Sequence, residues 1–226
     1  MKRREFIGKS SLGLVTTGLG LPLLKGGPLQ GNAPQKIVYR TLGRTGLRIP
    51  VVSFGVMNSD SPDLIQRSLD MGINHLDTAH VYLRGNSERV IGEVVENAGV
   101  RDKVILGTKM RFSKDRETKN FKKDEANLEA LNEQLALSLQ RLRTDYVDIL
   151  YLHSCDNPDM INFEPLMNAF EKVKQQGKTR FIGISTHTNE PENIRAAVDA
   201  KIYDVVLVTY NFAQENRDEI KKAIQY

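Results

Sequence analysis

The feature that most constrains this chain is an alternation. From residue 51 to the last residue, short apolar runs alternate with helical patterns at roughly thirty residues per unit. The runs are VVSFGV (51–56), INHL (73–76), VILGT (104–108), VDILYL (147–152), RFIGIS (180–185) and DVVLVTY (204–210). β-branched residues recur in most of them, as in parallel strands buried on both faces. Between them, SPDLIQRSLDMG opens on a Ser cap followed by Pro and stops at Gly72. SERVIGEVVENAG places Val90, Ile91, Val94, Val95 and Ala98 on one face. Leu128, Leu131, Leu135, Leu139 and Leu142 stripe a long third helix. EPLMNAFEKVKQQGK and EPENIRAAVDAK fill the next gaps, and a sixth helix is expected from about Glu215. The pattern predicts an α/β fold with a parallel sheet. Ahead of it, YRTLGRTGLRIP (39–50) reads as a short hairpin.

Polar residues fall where the runs stop. Asp77 follows the second run, Lys109 the third and His153 the fourth; Ser185 and Thr186 end the fifth, Tyr210 and Asn211 the sixth. Singly, each has a plain structural explanation. Asp77 can cap a turn, Lys109 can be a solvated lysine, Tyr82 can pack, and His153 can be a satisfied core histidine. A (β/α) barrel changes the weighing, because it gathers all strand C-termini on one face. There, residues scattered along the chain meet around one mouth.

Charge adds a second constraint. Of 32 basic and 28 acidic residues, five and one lie within residues 1–33, so the body is neutral and no nucleic-acid partner is expected. The one cysteine, Cys155, excludes an internal disulfide framework and reads as a small buried hydrophobe. Residues 1–33 start with a charged stretch, continue with a weakly apolar one from Ser10 to Leu24, and carry Lys25 near the end. That stretch is too short and too diluted by Gly and Thr for a spanning helix, and reads as a signal peptide. Its RREFI run resembles the twin-arginine export signal. The resemblance implies the twin-arginine machinery as a partner and a periplasmic or exported protein; an uncleaved amphipathic tail on a cytoplasmic protein is the alternative.

The strand-end residues carry a further resemblance. DTA followed by Tyr82 five residues after Asp77, a Lys ending the third run and a His ending the fourth, with LGRTGLRIPVVSFG and NSERVIG nearby, resemble the aldo-keto reductase superfamily. The likeness runs from about Tyr39 to the last residue. It implies a (β/α)8 TIM barrel behind an N-terminal β-hairpin, with about six of eight units present in residues 36–226, and hence a piece of a longer protein. It implies a catalytic set of Asp77, Tyr82, Lys109 and His153, a small-molecule carbonyl substrate, and NADP(H) as cofactor, with NAD(H) as an alternative. Met57, Asp77, Ser185 and Thr186 would bind that cofactor. In this scheme Tyr82 donates the proton, Lys109 lowers its pKa, Asp77 orients Lys109, and His153 steers the carbonyl.

The chain departs from the family at two positions beside the expected nicotinamide. Thr186 replaces an Asn, and Leu207 occupies the place expected for a Gln. A nicotinamide-binding sensor or scaffold is therefore an alternative to the reductase, and a non-functional fragment is another. The loop RFSKDRETKNFKK (111–123), with six basic and two acidic residues, either attracts an anionic substrate or cofactor or is a solvated mobile loop. His153, Cys155, Asp156 and His187 show no metal-ligand spacing, and no metal is expected.

Overall fold

The structure, a computed structural model, describes residues 37–226; the predicted leader lies outside them. β1 (Tyr39–Thr41) and β2 (Arg48–Pro50) pair antiparallel, with Tyr39 opposite Pro50, around a 3₁₀ turn at Gly43–Thr45. Six parallel strands follow in chain order: β3 (Phe54–Gly55), β4 (His75–Asp77), β5 (Ile105–Met110), β6 (Val147–Leu152), β7 (Thr179–Thr186) and β8 (Val205–Val208). The intervening helices are α1 (Pro62–Asp70), α2 (Asn86–Ala98), α3 (Leu128–Leu142), a short α4 (Pro158–Ile161), α5 (Glu164–Gln175), α6 (Glu190–Asp199) and α7 (Arg217–Ile224). This is the expected incomplete barrel, a curled sheet of six βα units.

Strand alternation sorts the core into two layers. Leu106, Met110, Leu150, Leu152, Ile182 and Ile184 face the helices and join Ile65, Ile91, Leu131, Leu135 and Phe170 in the large core. Ile105, Ile149, Tyr151 and Val205 face the other way and pack with Leu47 of the hairpin. The hairpin therefore covers the inner face of the sheet below the residues that matter for chemistry. Arg44 ties it to the Tyr203 carbonyl at 3.1 Å.

Several expectations are corrected in detail. The run at 51–56 yields only a two-residue strand, because Val51 N–H donates to Val38 O and prolongs the hairpin, leaving Val51 and Val52 exposed. Ser61 sits at the N-cap of α1 without a side-chain cap bond. Ala98 and Leu128 fall outside the buried stripes of their helices. The loop at 111–123 is no loose solvated segment. Phe112 and Phe121 are buried edge-on in a cluster with Phe163, each worth about 1.5–3 kcal/mol of transfer free energy. An isolated bridge joins Lys114 to Phe121. Cys155 is fully buried, which pushes its thiol pKa up.

Candidate active site

Asp77 closes β4, Lys109 is the fifth residue of β5, and His153 directly follows β6. Alternation along each strand turns all three to the inner face, above Ile105, Ile149 and Tyr151. Three adjacent strands thus bring residues 76 positions apart to one mouth.

The Lys109 ammonium is almost fully buried, paired with Asp77 Oδ2 and bonded to Thr78 O at 2.7 Å. Burial lowers its pKa, and the Asp77 carboxylate opposes that shift. Asp77 Oδ1 is buried and has no hydrogen-bond partner among the described residues. The ammonium lies 5.2 Å from the Tyr82 ring centroid and 5.9 Å from that of Tyr151. Tyr82 in turn meets the His153 ring edge-on, with centroids 5.7 Å apart at 82°. Burial, reinforced by Lys109 and Arg111, drops the His153 pKa to about 3, so the ring is neutral at physiological pH. Its Nδ1 is buried without a partner among the described residues.

One electrostatic expectation is overturned. Tyr82 was expected to have its pKa lowered by Lys109. Instead burial pushes the phenol up, Asp77 pushes the same way, and only Arg111 opposes. The physical reason is chiefly burial of the phenol, with the Asp77 carboxylate adding to it, while Lys109 is paired with Asp77. Tyr82 is therefore a protonated acid with a cation in reserve behind it.

Sequence reasoning missed the device that holds Tyr82. The residue sits on a turn in which Leu83, Arg84 and Gly85 all have positive φ (48°, 56° and 85°). For the two non-glycine residues such geometry costs roughly 1–2 kcal/mol each, so something must hold it. Arg141, in the last turn of α3, lies flat against Gly85; a Cβ there would stand 2.5 Å from the guanidinium carbon. Arg141 Nη1 donates to His80 O at 3.2 Å and pairs with Glu88 Oε2 at 3.3 Å. Glu88 is fully buried, and its other oxygen accepts from Thr108 at 2.7 Å. Gly92 permits the approach, because a side chain on it would collide with the backbone at Arg141 and Leu142. The only sequence trace was NSERVIG, read as a helix start.

The opposite side of the mouth is differently made. Ser185 Oγ accepts the Ser154 N–H at 3.0 Å. Thr186 is buried, with its hydroxyl donating to Thr188 O at 2.7 Å and accepting from Asn193 at 2.9 Å, so it is committed to its own loop. Leu207 pairs in register with Ser185 and is 39% exposed. Met57, just past β3, is half-exposed. Tyr210 and Asn211 lie beyond β8, and Asn211 N–H is taken by Gln214. No group of three or more His, Cys, Asp or Glu among the described residues is arranged to hold a metal, and no described helix is long and apolar enough to cross a membrane.

Residues 53–226 match the Aldo/keto reductase family. An oxidoreductase of Bacillus subtilis, YqkF, is 34% identical over 65% of this chain and 48% of its own length. The chain spans about half the length of the curated relatives it matches. Among solved structures, the holo form of the aldo-keto reductase AKR11C1 from Bacillus halodurans superposes with a TM-score of 0.69 at 26% identity, over 84% of this chain and 63% of that one. An aldo/keto reductase from Klebsiella pneumoniae, solved with NADP and acetate, gives 0.62 at 25% identity, over 76% and 59%.

Proposed function

The chain belongs to the aldo/keto reductase family, and from that premise we propose that it reduces an aldehyde or ketone to an alcohol with NADP(H) as cofactor. The observation that carries the reading is the Lys109–Asp77 pair set behind a protonated Tyr82, itself edge-on to a neutral His153. A reduced nicotinamide, when bound, supplies the hydride. The mouth fits such a group at Asp77, whose free Oδ1 is an unused acceptor, and at Ser185. Met57 offers an apolar wall, whereas Thr186 offers no free hydroxyl.

The chain's own part is the proton. Tyr82 gives its phenolic proton to the carbonyl oxygen as negative charge develops there. The phenolate left behind is stabilised by Lys109, which Thr78 O and Asp77 keep oriented. His153, neutral and buried, has a hydrogen bond to offer the same oxygen and fixes its approach to Tyr82. Lys109 thus acts on the charge that forms during reaction, although it does not lower the resting pKa of Tyr82.

Tyr82→Phe tests this. Turnover of a simple aldehyde with NADPH should fall by about 10²–10⁴-fold, the usual share of a general acid, while NADPH affinity by fluorescence titration stays unchanged. Near-normal turnover would overturn the assignment. In the parent protein the donor and the Lys109 ammonium must both be protonated. Burial raises the Tyr82 pKa and lowers that of Lys109, so the alkaline limb of kcat/KM should report Lys109 before Tyr82 and should change in Lys109→Met.

A second reading, a slow nicotinamide-binding sensor, is favoured by Leu207 beside Ser185, where an amide-binding side chain was expected; the same turnover measurement separates the two. The RREFI leader supports export through the twin-arginine pathway. Loss of export of the Arg3→Lys/Arg4→Lys double variant would support it, and unaffected export would remove it.

A further inference from the structure

We propose that Arg111 makes the mouth selective for carbonyl compounds that also carry a carboxylate, the class of oxo acids and acid semialdehydes. This deepens the reductase reading and rests on it.

The placement follows from β5. Ile105 and Lys109 face the inner side of the sheet, while Leu106 and Met110 are buried in the large core against the helices. Arg111 is the next inward position after Lys109 and lies just past the strand's end, so it stands at the rim above the ion pair. The backbone there is held at Lys109, whose carbonyl accepts from His80 Nδ1–H at 2.9 Å.

Its charge is uncompensated. Lys109 is neutralised by Asp77, and Lys114 by Asp156. Arg111 is exposed and has no salt-bridge partner among the described residues. Its field reaches the reacting groups, opposing the upward shift of Tyr82 and adding to the downward shift of His153. Arg111 therefore brings an unpaired positive charge to the rim above the ion pair. Within the basic run at 111–123, Lys114 also bonds Ser154 O at 2.8 Å and Lys122 pairs with Glu125 at 2.8 Å, while Arg116, Lys119 and Lys123 are exposed farther along the loop. A planar guanidinium matches a carboxylate through two parallel hydrogen bonds, and ionised pairs of this kind are stronger than neutral ones. The bond changes of the reaction stay as above; the carboxylate is a handle that leaves as it came.

The test compares 4-oxobutanoate with its methyl ester, using NADPH and the full chain. The parent protein should prefer the acid by about ten- to hundred-fold in kcat/KM, the worth of a charged hydrogen bond. Arg111→Met should bring the acid-to-ester ratio near one through the KM of the acid, and Arg111→Lys should restore part of it. Equal use of acid and ester by the parent, or an unchanged ratio in Arg111→Met, would overturn the inference and leave the reductase reading standing. A loss of NADPH affinity matching the loss of rate would assign the guanidinium to a cofactor phosphate and overturn it too. No turnover of acid, ester or any neutral aldehyde by the parent would remove the reductase reading, and this inference with it.

Discussion

The two sides of the mouth are built on opposite principles. Around the ends of β4, β5 and β6 the groups pack against one another: Asp77 pairs with Lys109, Tyr82 meets His153 edge-on, and Arg141 pairs with Glu88 behind them. On β7 and β8 the polar groups serve the fold. Ser185 receives a backbone N–H, Thr186 caps its own loop, and the remaining inward position is Leu207. A proton donor needs a fixed field, since its worth depends on charges held where new charge will form. A face that receives a large cofactor needs shape first, and can take its orientation from the rest of the barrel. Mutations on the first side should therefore couple stability to turnover, whereas replacing the exposed Leu207 on the second should change binding alone.

The largest effect is expected at Lys109. Lys109→Met leaves the Asp77 carboxylate in a half-buried site without its counter-charge, which should cost about 3 kcal/mol in chemical denaturation. Turnover should fall by about 10²–10⁴-fold, because the phenolate at Tyr82 loses its stabilising cation. Adding Asp77→Asn should recover most of the stability and none of the turnover. Recovery of both would show that the pair serves the fold alone and would break the comparison at its strongest point.

Arg141 comes next, and it tests whether that coupling extends past the groups that touch substrate. Arg141→Met strands the fully buried Glu88 carboxylate with only Thr108 for company and frees the strained turn at residues 83–85. A stability loss of about 2–3 kcal/mol and a roughly tenfold fall in kcat at nearly constant KM are expected. The double variant with Glu88→Gln should regain stability but not kcat. A kcat that tracks stability in both variants would mean the turn holds Tyr82 without help.

These two residues also mark what a sequence can disclose. The strands were legible because parallel strands leave continuous apolar runs, and β6 falls on the VDILYL run residue for residue. The polar residues at the strand ends were legible because a barrel collects them by topology alone. Arg141 and Glu88 were not, since they are 53 positions apart and each sits in a helix turn where a solvated charge is the ordinary reading. Only Gly92, which brings the backbone of α3 against α2, makes the pair possible. The direction of the Tyr82 shift was missed for a similar reason. It depends chiefly on burial of the phenol, with Lys109 paired to Asp77, and both are matters of packing. Nothing in the DTA spacing could distinguish a Thr186 hydroxyl open to the mouth from one turned into the loop beside Asn193.

The smallest effect should come from the other side, and it points the opposite way. Leu207 is 39% exposed and lies in register with Ser185, so replacing it costs little buried apolar surface. Leu207→Gln places an amide with both donor and acceptor beside Ser185, where a carboxamide-bearing ring is expected to rest. One neutral hydrogen bond gained is worth about 1 kcal/mol, so NADPH should bind about fivefold tighter, with thermal stability and kcat little changed. Fluorescence titration of NADPH against the parent and variant chains measures it directly. Tighter binding at constant stability would confirm that this inward position is separable from the fold. Unchanged binding with a drop in stability would mean that Leu207 packs as the β4–β6 residues do, and the contrast between the two sides would fail.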